Sequence, residues 1–212
     1  MKRIMVLVFA LFMVVCFAVP ISLAEERAEE DFGRVTIFAG PEYMFFGSIK
    51  VDDESDINID GKTGINVGMG VKITDSIGIE ASLSGFRLDE SDLDLSAENQ
   101  EAADEVVDID VGYISLGPVF SYKIAEKITL NAGLGGYLCL VDIKVSDPEF
   151  TESDSGGAWG GYVKVGASIP VISKVVLGIS GGYRYGGDIK MLTDCDWETS
   201  GGFCTALIKM NF

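Results

Sequence analysis

Six charged residues stand inside stretches where apolar and polar residues alternate: Glu42, Lys72, Glu80, Lys164, Arg184 and Lys209. Two kinds of chemistry suit such a set. Charges facing a common space can line an ion path, or they can pair into a fixed structural network. Proton-transfer chemistry has less to work with. The chain has no histidine, the usual general base near neutral pH. A Ser–Lys pair or paired carboxylates could substitute, but no motif for either is present, so no enzyme activity and no catalytic residue is expected. The acidic runs DDESDINID (52–60) and DESDLDLS (89–96) carry oxygen ligands of the kind Ca²⁺ and Mg²⁺ take. Neither has the central glycine and closing glutamate of a twelve-residue calcium loop. They read as solvated charge, with no metal site and no cofactor. Cys195 and Cys204 flank one acidic stretch and can either bridge in an oxidising compartment or stay free thiols; Cys139 is left without a partner. A net charge of −17 argues against nucleic acid as a partner, because phosphates would be repelled.

Which elements position these charges? Thr63 to Thr74 answers for the rest. Ile65, Val67, Met69, Val71 and Ile73 fall on one face; Asn66, Gly68, Gly70 and Lys72 fall on the other. A period of two without a break is a strand with one apolar and one polar face. Eight such segments are legible, at 34–49, 63–74, 77–89, 106–124, 128–145, 158–169, 175–186 and 202–212. The links between them alternate, short (DSI, AEK, PVISK) and then long and acidic. Short turns at one end and long loops at the other describe an antiparallel up-and-down meander, and eight strands suffice to close one into a barrel. Two features fit poorly. The fourth segment carries its apolar residues on odd positions (Val107, Ile109, Val111) and then on even ones (Ile114, Leu116, Phe120). A bulge near Gly112 would repair this, or the upper part stands clear of a membrane. Pro41 and Pro118 fall within strands, where each removes a ladder bond.

The N-terminus reads as an export signal. Lys2 and Arg3 precede an apolar run from Ile4 to about Val19, followed by small residues Ser22 and Ala24. This is the pattern of a secretory leader over residues 1–24, with residues 25–212 as the exported domain; an uncleaved anchor is the alternative. No later stretch approaches the ~18 apolar residues of a membrane helix. The exported chain is therefore either soluble or crosses a membrane as strands.

The two faces and the last strand decide between these. The polar face mixes glycine with the six charges, which suits a narrow interior better than a wet exterior. Aromatic residues gather near two levels: Tyr43, Phe45, Trp159, Tyr183 and Tyr185 at the loop end, Phe120, Tyr122 and Phe212 at the turn end. Two aromatic levels match the two interfaces of a bilayer. The final strand places Cys204, Ala206, Ile208, Met210 and Phe212 on one face and ends on the aromatic. It resembles the C-terminal strand of bacterial outer-membrane β-barrels, with Met210 where an aromatic is commoner. Leader and strands together resemble the small eight-stranded barrels of the OmpA/OmpX or opacity type.

That resemblance implies an all-β transmembrane barrel in the bacterial outer membrane, exported through the secretory pathway. Ala206, Ile208, Met210 and Phe212 would form the signal read by the barrel assembly machinery, and the long loops would face outside. Expected partners are membrane lipid, lipopolysaccharide and an extracellular ligand, with the protein a monomer. The expected role is non-enzymatic: a surface scaffold for adhesion or envelope protection. A narrow pore or lateral transporter for small or hydrophobic solutes is the second reading, and a soluble exported lipocalin-like carrier the third. Because an eight-stranded interior holds little more than side chains, the six charges are expected to pair as a network, with Phe38, Phe86, Tyr137 and Tyr162 blocking the lumen.

Overall fold

The computed structural model describes residues 35–45, 48–51, 55–59, 61–89, 93–94, 106–125, 127–147, 150–190 and 195–212. The candidate leader, and the remainder of the acidic loops, lie outside these residues. Eight strands close into an antiparallel barrel: β1 (Val35–Phe45), β4 (Lys62–Lys72), β5 (Ile77–Asp89), β7 (Val106–Ala125), β8 (Ile128–Asp147), β9 (Phe150–Ile172), β10 (Val175–Gly186) and β13 (Gly201–Asn211). Each pairs with its neighbours in sequence order, and β1 closes the ring on β13. Closure leaves no edge, so every strand has a partner on both sides in a medium that offers no hydrogen bonds.

The loop end carries a second sheet, which the reading of the loops as solvated charge did not anticipate. β2 (Ser48–Val51), β3 (Ser55–Ile59), β6 (Leu93–Asp94), β11 (Asp188–Lys190) and β12 (Cys195–Glu198) pair antiparallel in the order β11-β12-β2-β3-β6. Three of the four long loops thus contribute strands to one sheet. The fourth is nearly absent, because β8 and β9 stay paired out to Asp147 and Phe150. The sixth segment, expected at 158–169, is in fact a strand of 23 residues. At ~3.3 Å per residue and a tilt of ~40°, such a strand rises ~55 Å, far above the ~25 Å apolar band of an outer-membrane barrel.

The apolar face looks outward. Ile65 and Ile179 are each 67 % exposed, and Leu177, Val165, Leu134 and Ile208 share their side. Trp159, Tyr183, Tyr185 and Phe45 point outward toward the loop end, and Tyr122, Phe120 and Phe212 toward the turn end, so both aromatic levels lie on the exterior. The opposite arrangement, with an apolar interior at this level, would have suited the soluble carrier; it is not the one formed.

Strand β7 corrects the expected bulge. Its register with β5 runs unbroken from Phe120 to Asp108, and with β8 no shift occurs near Gly112; the irregularity lies at Lys123/Ala125. Ile109, Val111, Tyr113, Ser115 and Val119 all point inward. What changes is the environment. Outward from β7, Leu116 and Ile114 give way to Gly112 and then to Asp110 and Asp108. Across from them, Arg87 on β5 pairs with Asp108 at 2.9 Å on the outer wall. Inward, β5 carries Glu80, Ser82 and Ser84 low down, then Phe86 and Leu88. The lower barrel is apolar outside and polar inside; the upper barrel is the reverse, as a structure in water should be.

Both prolines have a common solution. Pro41 follows Gly40, and Pro118 follows Gly117. The β1–β13 pairing passes from Ala39 to Glu42, and the β7–β8 pairing from Leu116 to Val119, so each Gly-Pro pair is skipped by one neighbour. The other neighbour stays in register at both. A Cβ on Gly40 would run into the Ala206 carbonyl oxygen, and one on Gly117 into that of Leu134. Glycine permits the close approach where proline has no N–H to donate.

Candidate functional site

The interior holds the charges, and it is built in layers. At its centre Arg184 on β10 and Glu42 on β1 are 2 % and 0 % exposed. The guanidinium donates to Glu42 Oε1 at 2.7 Å and touches Met44 Sδ at 3.1 Å. Its Cζ lies 4.3 Å from the centre of the Tyr113 ring and 4.4 Å from that of Phe203. Asn66 Nδ2 donates to the other carboxylate oxygen of Glu42 at 2.7 Å and to Ser84 Oγ at 2.9 Å. A buried charge is tolerated when it is paired and hydrogen-bonded; here Glu42, Asn66 and Ser84 supply the partners from three strands, while Arg184 Nε and Asn66 Oδ1 have none among the described residues.

A second pair lies nearer the turn end. Lys164 on β9 donates to Glu80 on β5 at 2.5 Å. Lys209 on β13 sits beside it, 5.7 Å above the Phe38 ring. Ser180 and Thr205 share a short hydrogen bond between the two layers. Five of the six expected lumen charges thus converge on the interior. Lys72 does not join them: at the last residue of its strand its side chain is exposed on the rim of the turn-end opening. The strand ends there, so the correct parity delivers it to water rather than to a partner.

Above the arginine the lumen is closed by an apolar plug. Tyr113 and Tyr137 meet edge-on at 5.5 Å, and Phe86 packs on Tyr113 at 6.1 Å. Leu88, Ile109, Val111, Cys139 and Val141 complete the cluster, and Ile189 of β11 reaches in from the second sheet. Tyr137 also ties that sheet to the barrel: its hydroxyl donates to the Thr199 carbonyl oxygen at 3.1 Å, and Thr199 Oγ1 donates to the Gly187 carbonyl oxygen at 2.8 Å. The four expected blockers, Phe38, Phe86, Tyr137 and Tyr162, are all buried inside.

Sequence reading missed how the rings are accommodated. Phe38 lies directly across from Gly68, Tyr137 from Gly160 and Phe203 from Gly182. In each case the nearest side-chain atoms to a Cβ built on the glycine belong to that ring. Aromatic rings therefore lie flat over the glycines of the next strand, covering backbone that would otherwise be bare. The signal was present as inward glycines, but only the register says which ring covers which.

Cys204 is an exposed free thiol on the outward face. The side chain of Cys195, its expected bridging partner, lies outside the described residues; Cys139 is buried in the plug and free. No group of His, Cys, Asp or Glu suited to a metal ion occurs among the described residues. The outward face of β13 carries Cys204, Ala206, Ile208, Met210 and Phe212, all exposed.

A family model described as the outer membrane protein beta-barrel domain matches residues 9–201. Curated proteins give no match. Among solved structures, Ail, the attachment invasion locus protein of Yersinia pestis, is 18 % identical, covers 86 % of this chain and 100 % of its own, and superposes with a TM-score of 0.52. Neisserial surface protein A is 14 % identical over 86 % of this chain and 100 % of its own, at 0.55. A major outer membrane protein from Thermus thermophilus is 11 % identical over 84 % of this chain and 99 % of its own, at 0.60. At these identities the likeness is one of fold. With an outward apolar belt, two aromatic levels and a matching family model, the chain belongs to the outer membrane protein β-barrel domain family and resides in the bacterial outer membrane.

Proposed function

We propose that this barrel is a non-enzymatic surface protein, anchored by its lower half and presenting its upper half for adhesion or envelope protection. The observation that carries this reading is the filled interior. From Phe38 through the Arg184–Glu42 layer to Ile109, side chains occupy the lumen, and the two voids among the charges are about 20 Å³ each, room for one water apiece. A transport path would need an opening, and a catalytic barrel would need a cleft at its outer mouth with a base in it; histidine is absent. The investment instead lies in strands that rise beyond the membrane and carry a second sheet. Two structures of similar fold are described as an attachment invasion locus protein and a surface protein, which favours the same class of role. The reading includes removal of residues 1–24 on export, a monomer in contact with lipid and lipopolysaccharide, assembly directed by the last strand, and no cofactor.

The test is electrical and cellular. Purified protein in a planar bilayer should give no steady single-channel steps. Cells displaying it should adhere to a surface or resist envelope stress more than cells in which β2, β3 and their links are replaced by a short turn. Regular conductance steps, abolished by altering Arg184, would establish the pore reading instead.

A further inference from the structure

We infer that the turn-end vestibule of the barrel is a binding site for a carboxylate, with Lys209 as its anchoring cation. Below the Lys164–Glu80 pair the lumen widens into an open cavity of about 690 Å³, the volume of roughly twenty waters. In outer-membrane barrels this end faces the periplasm. Its wall holds three lysines, Lys72, Lys123 and Lys209, against Asp75 and Glu80. Glu80 is already engaged by Lys164 from behind. The vestibule is therefore cationic, inside a chain whose formal charge is −17.

Lys209 sets the site. It is half-buried at the inner end, makes no ion pair among the described residues, and has the Phe38 ring as its neighbour. An ammonium so placed has lost part of its hydration, and the nearest carboxylate, Glu80, is already bonded to Lys164, so two lysines share one opposite charge. A dead-end cleft of net positive charge with low-dielectric walls concentrates anions. Asn211 lines the same cavity; its Oδ1 accepts from Thr36, which leaves its Nδ2 to donate to a second carboxylate oxygen, whereas the Asn131 amide, also in the wall, is engaged by Thr129 and Ser168. Two sources offer that chemistry. One is a free carboxylate of the periplasm. The other is the chain itself: Glu25, Glu26, Glu29, Glu30 and Asp31 precede Val35, where β1 starts at the same end.

The experiment uses the protein purified from outer membranes, in detergent micelles, with citrate as the probe and amide shifts of Asn131 and Asn211 as the readout. One arm is the natural sequence; the other carries Glu25→Gln, Glu26→Gln, Glu29→Gln, Glu30→Gln and Asp31→Asn. Saturable shifts in both arms alike identify a free carboxylate. Shifts confined to the neutralised arm identify the chain's own acids as the occupant. In the responding arm Lys209→Met should raise the half-saturating citrate at least about tenfold, the loss expected of one charge-assisted contact. Lys209→Arg should retain binding, and Lys144→Met on the outer wall should change nothing. If Lys209→Met fails to fold, Lys72→Gln with Lys123→Gln serves instead and should weaken binding several-fold at low salt. No saturable response in either arm, or citrate binding indifferent to these lysines, overturns the site.

Discussion

The Arg184–Glu42 pair gives the sharpest test of how this interior is held. Consider Glu42→Ala. The carboxylate is fully buried, accepts from Arg184 at 2.7 Å and from Asn66 at 2.7 Å, and no water-filled space adjoins it beyond a single-water void. Its removal strands a guanidinium that is 2 % exposed. Breaking a buried pair from one side costs about 3–5 kcal/mol. The two rings flanking Arg184 offset some of this, since each desolvated cation–π contact is worth about 2 kcal/mol, so the lower end of the range is expected. Arg184→Met leaves the carboxylate with Asn66 alone and also forfeits both ring contacts, which places it at the upper end, near 5 kcal/mol by the same reasoning. The double variant removes both charges and fills the space with a flexible apolar chain; it should recover ~2 kcal/mol or more relative to the sum of the singles. The assay is urea unfolding of the barrel refolded in lipid vesicles, followed by tryptophan fluorescence and by mobility on unheated gels. Single variants costing under ~1 kcal/mol, or singles that simply add, would refute the claim that this is a desolvated pair.

Three further outcomes follow from the same structure. Ile179→Arg, on the lipid side, should cost about 2–4 kcal/mol, whereas Ser155→Arg, on the outer wall of the upper barrel, should be nearly neutral; comparing their unfolding midpoints maps the height of the membrane. Gly68→Val sets a branched side chain against both the Ala81 carbonyl oxygen and the Phe38 ring directly across the ladder; it should lower stability by at least about 1–3 kcal/mol, and pairing it with Phe38→Ala should restore only the part of that loss due to the ring, in the same urea assay. Tyr113→Ala combined with Tyr137→Ala removes the two rings that close the lumen above Arg184; planar-bilayer recordings should then show brief openings that the natural protein lacks, and continued silence would mean that Ile109, Val141 and Ile189 suffice as a seal.

Strand number, chain direction and lipid-facing side were legible without coordinates. Side chains alternate with a period of two, and hydrocarbon accepts only one of the two faces, so Ile65, Ile179 and Ile208 could point only one way once closure was assumed. Strand ends were legible where a turn broke the pattern and illegible where it did not: β8 and β9 run on past the expected limits because Pro148, the one residue of this stretch that cannot donate to a ladder, falls between the last paired residues, Asp147 and Phe150.

What the tertiary structure decided concerns neighbours across strands and the medium around them. Arg184 meets Glu42 across 142 residues, and the two stand together because β10 and β1 both pair with β13 in a given register, which no local pattern encodes. The same register lays Phe38, Tyr137 and Phe203 over their glycines, leaves Lys72 at the rim, and gathers short strands from three loops into one sheet. The odd-to-even change in β7 shows the division most clearly. Its residue types recorded a change of surroundings, and in one dimension a change of surroundings and a slip of register look alike. Only the height of the barrel relative to the bilayer separates them, because the apolar side must face lipid where there is lipid and the interior where there is water.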